Sequence, residues 1–119
     1  MIPYQNRFHR RNAIRYLYSK GEAHRSRLLT LKILKRKQPA LTLSDSRAVV
    51  VISKKTLKSA VRRNLIRRRI YSIISKELSK FNQAYDIALI VSSAEILSLN
   101  HSDLKDLVSG LFYQAEMYQ

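Results

Sequence analysis

Apolar residues along this chain switch between helical and alternating spacing, and the switches lay out its elements. On Asn12 to Lys20, Ile14, Leu17 and Tyr18 recur at helical spacing, and Gly21 follows at a C-terminal cap position. From Leu28 to Leu34 the period becomes two, with Leu29, Leu31 and Ile33 on one face of a strand. Lys35-Arg36-Lys37-Gln38-Pro39 is a basic turn, and Leu41 to Leu43 fits a further short strand piece. Arg47 to Ser53 is a β-branched run of the kind found in strands buried on both faces. Ser59 to about Lys80 is the longest helix, with Ile66, Ile70, Ile73 and Ile74 in one stripe. Tyr85 to Val91 is a second apolar strand. Asn100 is placed to cap a last helix, with Asp103 three residues on and Leu104, Leu107, Val108 and Leu111 as its apolar stripe. Pro3 gives residues 1–9 an extended start. The order helix–strand–strand–helix–strand–helix predicts an α+β fold, a small central sheet covered by helices. No linker, repeat or low-complexity tract divides residues 1–119, which are expected to form a single domain.

Charge changes the picture from fold to partner. The formal net charge is +15. Residues 1–76 carry 21 Lys and Arg against Glu22 and Asp45, whereas residues 77–119 carry Lys80 and Lys105 against six acids. A chain polarised this way presents one strongly positive surface, for which nucleic acid is the default partner. No run reaches the roughly 18 to 20 apolar residues of a membrane span, and the first residues lead into charge and not into a signal-type apolar core. There is no cysteine, so disulfides and thiolate metal sites are excluded, and a cytoplasmic location is expected.

The positive charge is densest on segment 58–69, Lys-Ser-Ala-Val-Arg-Arg-Asn-Leu-Ile-Arg-Arg-Arg, and no acid occurs between Asp45 and Glu77. The helix can bury its isoleucines while Asn64, Arg67 and Arg68 stay on the opposite side. Guanidinium forks match phosphate oxygens bidentately, and Asn64 can both donate to and accept from a base edge or sugar hydroxyl. A charged helix face is commonly no more than solvated, but this one is all of one sign, and like charges at i, i+4 destabilise a helix that has no partner for them. Leu65 points about 125° from the middle of the isoleucine stripe. That direction allows three placements: in solvent, beneath a loop, or against RNA.

Ser53-Lys54-Lys55-Thr56-Leu57-Lys58-Ser59-Ala60-Val61-Arg62-Arg63-Asn64-Leu65-Ile66-Arg67-Arg68-Arg69 resembles the signature of the bacterial ribonuclease P protein family: a strand ending in Ser-Lys-Lys, a basic crossover, and a helix with Arg-Asn-Arg and further cations. Leu17-Tyr18-Ser19-Lys20-Gly21, Arg27 to Leu31, Tyr85 to Ile90 and Leu99 to Leu104 extend the likeness over nearly the whole chain. The resemblance implies a left-handed β-α-β crossover, against the general right-handed rule. It implies that a catalytic RNA subunit, with bound Mg²⁺, cleaves the 5′ leader from precursor tRNA while the protein assists. Lys54, Lys55, Lys58, Arg62, Arg63, Asn64, Arg67, Arg68 and Arg69 would face the ribonuclease P RNA, and Ile14, Tyr18 and Lys32 would line a cleft for the leader. Two departures stand out. Leu65 replaces the motif's second arginine, leaving Arg62 or Arg69 to substitute, and of the cleft positions, often aromatic in the family, only Tyr18 remains so.

The chain by itself lacks the marks of a nuclease. Asp45, Asp86 and Asp103 are scattered, Asp103 and Asp106 lie in the acidic segment, and His9, His24 and His101 are isolated. No catalytic or metal-holding residue is expected, no Gly-rich phosphate loop occurs, and nothing points to a small-molecule substrate or to a membrane. The competing reading is another small basic RNA binder, such as a ribosomal protein; a lipid-surface helix is disfavoured because the strands need the isoleucine stripe for their core.

Overall fold

The computed structural model describes residues 11–36 and 46–118. The extended start over residues 1–9, the Leu41 to Leu43 piece and Asp45 lie outside them. Elements run in the order α1 (Arg11–Lys20), β1 (Glu22–Arg25), β2 (Leu29–Lys35), β3 (Arg47–Val51), α2 (Ala60–Glu77), β4 (Tyr85–Val91) and α3 (His101–Gln114), with short 3₁₀ turns at Leu78–Lys80 and Ala94–Ser98. The strands form one sheet in the order β1-β2-β4-β3. β2 pairs antiparallel with β1 and β4, and β3 lies parallel to β4, joined to it through α2.

Alternation along the strands assigns the two faces. Leu29, Leu31, Ile33, Ala48, Val50, Ile87, Leu89 and Val91 point to the side of α2 and α3 and join Ile66, Ile70, Ile73, Ile74, Leu104, Val108 and Phe112 in the main core. The ring of Phe81 closes the end of this core, edge-on to Tyr85 and Phe112 at centroid distances of 6.0 and 5.1 Å. On the other face Leu17 of α1 packs on Ala88, flanked by Ile14, Leu34 and Val49.

Two strand expectations are corrected. β1, Glu-Ala-His-Arg, is a strand that apolar periodicity does not reveal, because as an edge strand it buries little. The run from Arg47 is not buried on both faces: in β3 only Ala48 and Val50 are buried, and the strand is an edge. The doubly covered strand is β4, flanked on both sides, with Ile90 its one half-exposed residue. The outer rim of β3 is partly closed by Tyr71, whose hydroxyl accepts from the Val50 N–H at 3.1 Å. At the end of β4 Asp86, largely buried, takes a bidentate pair from Arg47, both contacts 2.8 Å, with Arg36 at 3.7 Å.

Gly21 ends α1 as expected, its N–H donating to the Leu17 carbonyl at 2.7 Å, but not through a left-handed backbone. It is needed for closeness: a Cβ there would overlap the Leu17 carbonyl oxygen and lie 2.9 Å from Leu17 Cδ1. Gly21→Ala is therefore expected to cost about 1–3 kcal/mol, by forcing the end of α1 away from β2. Urea unfolding would check this; an unchanged midpoint would show that the turn relaxes freely.

Candidate nucleic-acid interface

The segment that follows β3 is locally specified before any cation is placed. The Ser53 carbonyl accepts from the N–H groups of Thr56 and Leu57, both at 3.1 Å, and the Ser53 and Thr56 hydroxyls lie 3.0 Å apart. Leu57 is buried and pins the loop to the core. Ser59 then caps α2, its hydroxyl accepting from the Arg62 N–H at 3.3 Å. These contacts hold Lys54, Lys55 and Lys58 outward, at the mouth of a helix whose buried stripe is the expected Ile66, Ile70, Ile73 and Ile74, extended by Glu77.

The cations of this segment divide into two sets. Arg63 turns back and donates to the carbonyls of Leu57 at 2.7 Å and Lys58 at 3.0 Å, bracing the loop. Arg69 reaches the Leu99 carbonyl at 2.8 Å and ties α2 to the approach of α3. Both guanidiniums serve as struts in this structure. Lys54, Lys55, Lys58, Arg62 and Arg68 are exposed, and their side chains make no hydrogen bond or ion pair among the described residues. Arg67, half-buried, donates to Asn64 Oδ1 at 3.2 Å, which orients the exposed Asn64 amide. Ion pairs among the described residues use Arg27, Arg36, Arg47, His24 and Lys80, so the acids they engage neutralise none of this face. Leu65 is half exposed, which removes the loop-covered placement.

A second surface lies across the sheet, beside α1. Tyr18 and Lys32 meet there: Lys32 Nζ donates to the Tyr18 carbonyl at 2.6 Å and stands 5.5 Å from the ring centroid. Burial pushes the Tyr18 phenol above its ordinary pKa, so the ring is neutral at physiological pH. Ile14 is half-buried in the same cluster as Leu17 and Val49. Register sets Lys32, Ala88 and Val49 in one row and Thr30, Ile90 and Val51 in the next, all on this face. Thr30, Ile90 and Val51 are partly exposed, and Thr30 Oγ1 lies 3.5 Å from Ser92 Oγ. This row is absent from the sequence expectation, because strand order alone makes neighbours of residues 30, 51 and 90.

No group of three His, Asp or Glu side chains able to hold a metal comes together among the described residues. Among the same residues, no helix is long and apolar enough to cross a membrane. A hollow lined by Glu77, Lys80, Asp106, Tyr113 and Tyr118 lies in the acidic part of the chain, with mixed charge around it.

The family model described as Ribonuclease P matches residues 2–116. The chain is similar to the ribonuclease P protein component of Pseudanabaena sp. (strain PCC 6903), 32% identical over 98% of this chain and 97% of the relative. It is likewise similar to that of Clostridium botulinum (strain Loch Maree / Type A3), 32% identical over 90% and 88%. In fold it resembles the structure of a Staphylococcus aureus RNase P protein mutant with defective mRNA degradation activity, at 21% identity and a TM-score of 0.82, covering 95% of this chain and 90% of the other.

Proposed function

Since this chain belongs to the ribonuclease P protein family, and is thus the protein component of a ribonucleoprotein endoribonuclease that processes tRNA 5′ ends, we propose that its two surfaces divide the RNA between them. The loop Lys54–Lys58 and the outer side of α2 hold the ribonuclease P RNA. The cleft of Ile14, Tyr18 and Lys32, floored by Thr30, Ile90 and Val51, takes the 5′ leader of precursor tRNA. The observation that carries this reading is the set of five exposed cations without partners among the described residues, held by a loop and helix braced by their own hydrogen bonds. Arg62, and not Arg69, is the cation available in place of the arginine that Leu65 replaces, since Arg69 is engaged by Leu99. In this reading Mg²⁺ is carried by the RNA subunit, and the protein works in the cytoplasm as one RNA-binding unit.

The chemistry then belongs to the RNA, and the protein lowers the electrostatic cost of bringing two polyanions together. RNA-free protein is expected to leave precursor tRNA uncut at any Mg²⁺ concentration, and to stimulate a cognate ribonuclease P RNA when Mg²⁺ is low. The warrant is the placement of the carboxylates: Asp86 is held by Arg47, Glu77 by Lys80, and Asp103 sits in the first turn of α3. Specific cleavage at the mature 5′ end by RNA-free protein would overturn the reading.

A further inference from the structure

At 100° per residue, the direction around α2 opposite the isoleucines is occupied by Arg68 and Val61, with Leu65 next to them. Val61 is 79% and Leu65 50% exposed, although the helix has an apolar side into which neither falls. They are four residues apart, about 6 Å along the axis, so their side chains form one continuous apolar strip. Cations border it: Lys58 and Arg62 toward the start of the helix and Arg68 beyond.

Resting on the proposal that this face holds RNA, we infer that Val61 and Leu65 form a seat for an unstacked nucleobase of the RNA subunit. The cations fix the partner as a polyanion, and the apolar strip restricts what that polyanion presents between them. A phosphate over Leu65 would lose water without receiving a donor, which is unfavourable. The grooves of an A-form duplex offer phosphates and 2′-hydroxyls to a helix, and these match guanidiniums but not an isopropyl or isobutyl group. A base splayed from a loop or bulge has an apolar face that can cover both side chains while its own phosphate reaches Arg62 or Arg68. The seat therefore selects single-stranded RNA at the centre of a face whose rim is indifferent to sequence.

The test uses the full-length protein and the complete ribonuclease P RNA, with affinity measured over a range of salt and melting of the free variants alongside. Leu65→Ala is expected to weaken binding by about tenfold and Val61→Ala by roughly threefold to fivefold, from the apolar surface lost. The slope of log affinity against log salt should not move, because no counterion is involved. Leu65→Arg, despite its added charge, should fail to tighten binding. Chemical probing should show a base that wild-type protein protects and Leu65→Ala leaves reactive. Tighter binding by Leu65→Arg, with a slope steeper by about 1 unit, would place a phosphate there and overturn the inference. Unchanged affinity for Leu65→Ala would overturn it in favour of solvent or a protein partner. A lowered melting midpoint for Leu65→Ala would make the leucine structural and overturn it equally. Arg68→Ala separates this from the underlying reading: if it weakens binding and flattens the slope by about 1 unit while Leu65→Ala does neither, only the seat is lost. If Arg68→Ala is silent as well, the whole face is wrongly assigned.

Discussion

Replacing Lys54, Lys55, Lys58, Arg62 and Arg68 together by glutamine is expected to lower affinity for the ribonuclease P RNA by about three to four orders of magnitude near 0.1 M salt. Each cation that neutralises one phosphate releases a condensed counterion, with a slope of about 0.9 per contact on a duplex and about 0.7 on single strands. Five such contacts correspond to roughly 3.5 to 4.5 units of slope, which the variant should lose. The fold should not suffer, because none of these side chains has a described intramolecular partner. Filter binding or fluorescence titration at several salt concentrations, with thermal melting of the free protein, measures both quantities. A slope unchanged within error would place the RNA on another surface. The corresponding replacement of Arg63 and Arg69 behaves differently: it removes struts to Leu57, Lys58 and Leu99, so it should lower the melting midpoint first and affinity only as a consequence.

Asp86→Ala is expected to cost about 3–5 kcal/mol of stability, the penalty for removing one partner of a buried ion pair. The carboxylate lies on the central strand, 12% exposed, with the Arg47 guanidinium paired to both oxygens and Arg36 beside it. Removing it takes both carboxylate oxygens from the Arg47 guanidinium at the edge where β3 joins β4. The melting midpoint should fall by more than about 10 °C. Because Arg47 and Asp86 stand opposite each other in the register, loss of the pair should loosen β3 first, and hydrogen exchange along Arg47–Val51 would report that loosening. A fall in midpoint of only a degree or two would mean that the pair behaves as a solvated one. In that case β3 would be held mainly by its backbone ladder, by the burial of Ala48 and Val50 and by the Tyr71 hydroxyl on the Val50 N–H.

Most of the elements were legible in the order of the residues, for a reason that differs between them. β4 is legible to the residue because every position from Tyr85 to Val91 but Asp86 is apolar, and a strand covered on both faces leaves a continuous run. α3 was legible through Asn100, whose Oδ1 accepts from the Asp103 N–H at 2.8 Å, a contact spanning only three residues. α2 was legible because its isoleucines keep the helical period through a stretch that is otherwise cationic. β1 is not legible because Glu-Ala-His-Arg, largely exposed at an edge, carries no apolar period, and the depth of β3 is not legible because a β-branched run looks the same whether one face is covered or two.

The same division holds for the two proposed RNA surfaces. Residue order alone determined that the chain is polarised in charge, that a cationic helix buries isoleucines on one side, and that the segment around Ser53 to Arg69 resembles a ribonuclease P protein. Those features are local: they depend on neighbours within a few turns of chain. Only the tertiary structure decided which cations are left for a ligand. Arg63 and Arg69 are indistinguishable from Arg62 and Arg68 in the sequence, yet one pair meets main-chain carbonyls, one of them 30 residues away, and the other meets none among the described residues. Only strand order placed Thr30, Val51 and Ile90 in a single row beside Tyr18 and Lys32. Arginine's long stem and five donors make its partner a matter of what folds within reach, and that is settled by contacts between segments distant in the chain.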